Sequence, residues 1–110
     1  MSFNYNHTTI VGRLTKDPEI KKVGNVTRSS MTLAVDRPYR KEDGSTDTDF
    51  INVVLFGKLA DVSEKHLRKG NPALFEGRIQ VRQYEKNNEN RWITEVLAEN
   101  FQVLEYKKTN

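Results

Sequence analysis

The chain has 110 residues, enough for one domain with one modest core, and at 35% hydrophobic and 30% charged it reads as globular rather than disordered. It contains no cysteine, which excludes a disulfide framework and thiolate metal sites and is compatible with a reducing compartment. Its formal charge is only +3, but residues 1 to 41 carry a net +5 and residues 42 to 49 a net −4, an asymmetry that favours a polyanionic partner for the basic part and a loop for the acidic part. No apolar run is long enough for a membrane helix and Met1 to Asn6 lacks the parts of a signal peptide, so a cytoplasmic protein with no membrane contact is expected. Two glycosylation sequons, at Asn6 and Asn25, then have no consequence.

In chain order, Thr9 to Leu14 is apolar enough for a first strand, which Lys16-Asp17-Pro18 ends because proline constrains its predecessor and gives no ladder hydrogen bond. Gly24-Asn25 makes a turn. From Thr27 to Val35 residues alternate, with Met31, Leu33 and Val35 on one face and Arg28, Ser30 and Thr32 on the other, which predicts a half-buried second strand. Asp36 to Thr48 is polar and contains Asp43-Gly44, a turn signal, so a long loop should join the second strand to the third as a hairpin. Tyr39 stands at its base between Arg37 and Arg40, where the ring can pack on the loop or receive a base. The acidic residues Asp43, Asp47 and Asp49 lack the spacing and closing glutamate of a calcium loop, and no metal site is expected.

Thr48 to Gly70 is the most informative stretch. Ile51, Val53 and Leu55 share one face of a strand and should point into the core, which turns Phe50, Asn52, Val54 and Phe56 to the other side. Gly57 breaks the strand. Leu59, Val62, His66 and Leu67 then fall on one helical stripe, with acids early and bases late, and Gly70 and Pro72 are the expected stop. In Ala73 to Tyr84 the faces separate again, Phe75, Gly77, Ile79 and Val81 opposite Glu76, Arg78, Gln80, Arg82 and Tyr84. Lys86 to Asn90 is an asparagine-rich turn, and Arg91 to Leu104 a last strand, opened by Trp92, with an irregularity near Asn100.

Several of these segments carry a resemblance. Asp49 to Glu64 (DFINVVLFGKLADVSE) with Leu67 to Gly70 (LRKG) resembles the centre of a bacterial or phage single-stranded DNA-binding protein. So do Ile10 to Glu19 (IVGRLTKDPE), Met31 to Pro38 (MTLAVDRP), Glu76 to Tyr84 (EGRIQVRQY) and Thr94 to Val96 (TEV), in the same order along nearly the whole chain. The resemblance implies an all-β, five-stranded OB-fold Greek-key barrel with one short helix between the third and fourth strands, an architecture the residue pattern also suggests, spanning residues 1–106 as one domain.

The same resemblance implies sequence-independent binding and protection of single-stranded DNA in replication, recombination and repair. Tyr39, Phe50, Phe56 and Tyr84 match its base-stacking positions, three of which are larger tryptophans in its best-known bacterial member. Trp92, near the Tyr84 end of the last hairpin, is a fifth candidate ring. Lys58 and Arg82 match phosphate-contacting positions, and Arg28, Arg37, Arg40, Lys69, Arg78 and Arg91 are further candidates from their placement. It implies a homotetramer as well, with Thr8 to Val11 of the first strand left unpaired in a lone monomer and free for such a contact. No cofactor is expected. Neither is catalysis, since His7 and His66 lie far apart and there is no phosphate-binding glycine loop. The other reading left open is an OB-fold RNA-binding or primosome-type interaction module. The ending, Glu105 to Asn110, is basic, and residues 107–110 form a short end without an acidic tip, so recruitment of replication or recombination proteins through a terminal acidic peptide is not expected.

Overall fold

The computed structural model describes residues 3–105; Tyr106 to Asn110, on which the expectation about the chain's ending rests, lie outside the described residues. Six strands and one helix follow in the order β1 (Thr8–Leu14), β2 (Glu19–Val23), β3 (Val26–Asp36), β4 (Thr48–Phe56), α1 (Lys58–His66), β5 (Pro72–Lys86) and β6 (Glu89–Val103). They form one sheet in the order β1-β5-β6-β4-β3-β2, and β1 pairs also with β3, so that the sheet closes into the expected OB-fold barrel. All pairings are antiparallel except β4 with β6.

The strand not foreseen is β2. Its sequence, EIKKV, is polar and only Ile20 is half-buried, so no alternation announces it. It is held by its hairpin with β3, Glu19 to Val23 against Ser30 to Val26, around the Gly24-Asn25 turn. Since Arg13 and Leu14 of β1 pair with Ala34 and Leu33 of the same strand, β1 and β2 form one line interrupted at Thr15 to Pro18. Four residues there stand opposite only Met31 and Thr32, and the Thr15 backbone N–H and hydroxyl both donate to the Thr32 carbonyl, at 2.9 and 3.0 Å. The helix therefore follows the fourth strand segment but still the third line of the barrel.

Thr8 to Val11 are not left unpaired as expected: they pair with Gly77 to Leu74 on β5, because the barrel cannot close unless β1 bridges β5 and β3. Just outside that ladder, the Asn6 side chain continues it, donating from Nδ2 to the Ile79 carbonyl (2.7 Å) and accepting the Ile79 N–H (2.9 Å).

The core joins Leu14, Met31, Leu33, Val53, Leu55, Phe75 and Val96 from the strands to Ala60 and Leu67 from the helical segment. Of the stripe expected for the helix only Leu67 is fully buried, and two small residues join it. Ala60, Ser63 and Leu67 face inward, whereas Val62 and His66 are exposed and Leu59 is half-buried. Small residues let the helix approach the barrel closely, and the buried Ser63 hydroxyl is satisfied by the Ser29 hydroxyl (2.8 Å) and the Ala60 carbonyl (2.7 Å). The helix also ends earlier than Gly70, at His66. Leu67 takes extended backbone there, and the Asn71 side chain accepts the Arg68 N–H at 2.6 Å.

Two glycines set the close approaches. A Cβ at Gly12 would lie 2.7 Å from the Ala34 carbonyl oxygen, where β1 passes from β5 to β3. A Cβ at Gly77 would lie 2.0 Å from the Leu97 carbonyl oxygen. There the β5–β6 register breaks, with Glu76 opposite Asn100 but Gly77 opposite Ala98, which is the irregularity expected near Asn100. Replacing Gly77 by alanine should force the backbone apart and cost ~1 to 3 kcal/mol, as overpacking does. Thermal denaturation followed by circular dichroism checks this; an unchanged midpoint would mean that β5 does not approach β6 as described.

Candidate nucleic-acid interface

Closure of the barrel assigns each strand an inner and an outer face. On β4, Ile51, Val53 and Leu55 are turned inward, so Phe50 and Phe56 emerge outside, 66% and 44% exposed. Val54, on the same outer face, is nonetheless 2% exposed, because β4 is flanked on both sides, by Ser30 of β3 and Leu97 of β6. Phe56 stands opposite Arg28 and Phe50 opposite Ala34. On β5 and β6 the outer face carries Gln80 opposite Glu95, Arg82 opposite Ile93, and Tyr84 opposite Arg91. Tyr84 is 39% exposed.

Between these elements runs an open groove of about 240 Å³, lined by the polar residues Ser30, Thr32 and Asn52, by the bases Lys16, Arg28 and Arg82 and by the acids Asp17, Glu19 and Glu95. Part of its lining is a polar row across three strands: Thr32 donates to Asn52 Oδ1 (3.2 Å), and Asn52 is in parallel register with Glu95. Glu95 and Lys16 carried no role in the sequence reading. Strand alternation does put Glu95 on the outer face, two residues from Ile93, whereas Lys16 reaches the groove through the β1–β2 interruption that the sequence did not reveal.

The predicted cations divide into two groups. Four are in ion pairs: Arg37 with Asp49 (3.0 Å), Arg78 with Glu99 (3.2 Å), Arg82 with Glu95 (2.9 Å) and Arg91 with Glu89 (3.0 Å). For Arg28, Arg40, Lys58 and Lys69 no ion pair occurs among the described residues, although the Lys69 backbone N–H donates to Asp17 (2.7 Å). Trp92 lies apart from the groove. It is 65% exposed, but it stands opposite Gln83, on the face that Ile79, Val81 and Val96 share, so the hairpin turns it away from Tyr84 and Arg82. The tight turn at Asn87 and Asn88, both with positive φ, fixes that register.

The loop between β3 and β4 is internally neutralised. Arg37 donates from Nε and Nη2 to the Asp49 carboxylate and from Nη1 to the Tyr39 hydroxyl (3.3 Å), while Lys41 pairs with Asp47 (2.8 Å). At the tip, Asp43 accepts from the Ser45 N–H and hydroxyl around the expected Asp43-Gly44 turn. Tyr39 is thereby presented at the loop base with its ring exposed. The hydrogen bonds from Arg37 hold the Asp49 carboxyl below the usual aspartate range, and those from Ser45 do the same for Asp43. With folded-state values depressed, their ordering effect is present above ~3.9, the ordinary aspartate value, and is lost as pH falls through the lower folded values. NMR titration of the carboxyl carbons should give midpoints below that value for both, and Arg37→Ala should raise the one for Asp49 while leaving Asp43 unmoved.

Among the described residues no group of three or more histidine, cysteine or carboxylate side chains is placed to hold a metal, and no helix is long and apolar enough to cross a membrane. The arrangement offers flat rings, cations and a polar groove on one surface. Residues 5–104 match the model of the single-strand binding protein family. The chain is 43% identical over 107 residues to single-stranded DNA-binding protein 1 of Staphylococcus aureus, covering 96% of this chain and 69% of that protein. To the single-stranded DNA-binding protein of Halalkalibacterium halodurans it is 44% identical over 102 residues, covering 91% and 61%. In three dimensions it is similar to the Plasmodium falciparum SSB in a complex with ssDNA, with a TM-score of 0.83 over 96% of this chain and 99% of the other, a likeness of fold at 23% identity. By the extent of the family match and the identity to its bacterial members, this chain belongs to the single-strand binding protein family.

Proposed function

We propose that the chain binds single-stranded DNA without regard to base sequence and covers it during replication, recombination and repair. Family membership supports this reading, and one observation carries it: Phe50, Phe56 and Tyr84 are exposed on the same barrel face as Arg28 and Arg82. Every base has a flat face, so rings accept any sequence, and cations that follow the backbone supply the remainder. Tyr39 adds a fourth ring from the loop. Arg28, Arg40, Lys58 and Lys69 meet phosphates directly, whereas Arg37, Arg78 and Arg91 do so only by exchanging an exposed carboxylate for a phosphate. Trp92 contributes least to stacking, since it faces away from the other rings.

The protein acts as a binder and not as an enzyme, needs no cofactor, and works in the cytoplasm. One OB-fold covers only ~4 to 16 nucleotides, so useful affinity calls for linked copies. A homotetramer meets that need. Light scattering should give four chains per particle at micromolar concentration; a monomer with and without DNA would rule the assembly out.

Titration with a thymidine oligonucleotide tests the division of labour. Tyr84→Ala and Phe50→Ala should each weaken binding by ~1 to 3 kcal/mol per base lost while leaving the slope of log affinity against log salt nearly unchanged. Arg28→Ala should instead shallow that slope by ~0.7. Trp92→Phe should bind as the parent does. Folded ring variants that bind with parental affinity would refute stacking, and an equal-length uridine strand bound as tightly as DNA would turn the reading toward RNA.

A further inference from the structure

Glu95 is an anomaly on a surface that attracts polyanions. It lies on the outer face of β6 in the lining of the groove, yet it is 4% exposed, and among the described residues its side chain has a single polar partner, the Nε–H of Arg82 at 2.9 Å. Arg82 itself is 41% exposed by its side chain. Both residues line the groove, and the arginine is the exposed member of the pair. A buried carboxylate without a compensating donor is costly, and a negative charge beneath a phosphate path is repulsive.

The ion pair also orients the arginine. With Nε committed to Glu95, the two terminal nitrogens of the guanidinium have no protein partner among the described residues, and Arg82 lines the groove. A planar guanidinium can give one edge to a carboxylate and another to a phosphate, which a lysine ammonium on a flexible stem does not reproduce. The other paired arginines of the surface differ, since Glu99, Glu89 and Asp49 are exposed by 64%, 67% and 48%.

We infer that Glu95 is a positioning residue for DNA binding, a buried carboxylate that fixes Arg82 by its Nε and aims the remaining nitrogens at the phosphate backbone, while Arg82 in turn screens Glu95 from that backbone. This rests on the single-strand-binding reading above. It follows that losing Arg82 does two kinds of damage, a missing phosphate contact and an uncovered negative charge, and that only the first remains once Glu95 is neutral.

The test is a double-mutant cycle on the full chain with a thymidine oligonucleotide at fixed salt. Arg82→Ala should weaken binding by about tenfold or more in the parent, and by roughly threefold or less in the Glu95→Gln background, a coupling between contacting charges. A staple that merely joins β5 to β6 would couple the two substitutions in the thermal midpoint but not in affinity. Equal losses in both backgrounds overturn the inference while leaving DNA binding intact. Failure of the parent to bind overturns the functional reading, and this inference with it. Should Glu95→Gln not fold, Arg82→Lys decides: a loss comparable to that of Arg82→Ala supports an oriented guanidinium, and parental affinity refutes it.

Discussion

Everything on this surface depends on the closure of the barrel by β1, which leaves β5 and joins β3 within the few residues around Gly12. The switch requires a backbone approach that no side chain permits: a Cβ at Gly12 would stand 2.7 Å from the Ala34 carbonyl and 2.9 Å from the Val35 side chain. On the other side of β5 the sheet is bent by the bulge at Gly77, under the same constraint. Bulges and glycines are how a sheet turns a corner without losing its ladder. Once the loop of strands is complete, inside and outside are fixed for every residue, and the outward rings of β4 are exposed because their neighbours in sequence are committed to the core.

That dependence explains what was legible in the sequence. The alternations in β3, β4 and β5 identify their inner faces, because Met31 and Leu33, Ile51, Val53 and Leu55, and Phe75 stand at every second position and end in or against the core. β2 left no trace, since it is polar and is a strand only through its partner. The helix misled for a related reason. Periodicity selects apolar residues, and of Leu59, Val62, His66 and Leu67 only the last is fully buried, whereas the rest of the buried stripe uses an alanine and a serine whose small size and paired hydroxyl suit a close approach.

Trp92 is instructive because its face could have been read. Counting back in twos from Val96, a core residue, passes Thr94 and reaches Trp92, so strand parity alone puts it on the inner side, beyond the end of the barrel where nothing in the chain covers it among the described residues. Proximity to Tyr84 along the hairpin suggested otherwise. Across a two-stranded ribbon, residues share a face when they are directly opposed or an even number of positions off, and Trp92 is one position from Arg91, which opposes Tyr84.

Charge was the least legible layer. Counting basic residues overstates the field, since ion pairs occupy half of the candidate cations and the groove is lined by acids as well as bases. Exposed pairs are worth little, ~0 to 1 kcal/mol, so a phosphate can replace Glu99 or Glu89 at small cost. Replacing a buried carboxylate is different, because the displaced charge stays where it was, desolvated and unpaired. A surface that holds three arginines in weak pairs and one in a pair with a buried carboxylate therefore has two kinds of paired cation. On the proposed function, the weak ones yield to a phosphate and adapt to the path of a flexible strand, while Arg82 in the groove lining keeps a fixed direction. With rings that, on the same proposal, accept every base, such a surface constrains where the backbone runs and leaves the sequence unread.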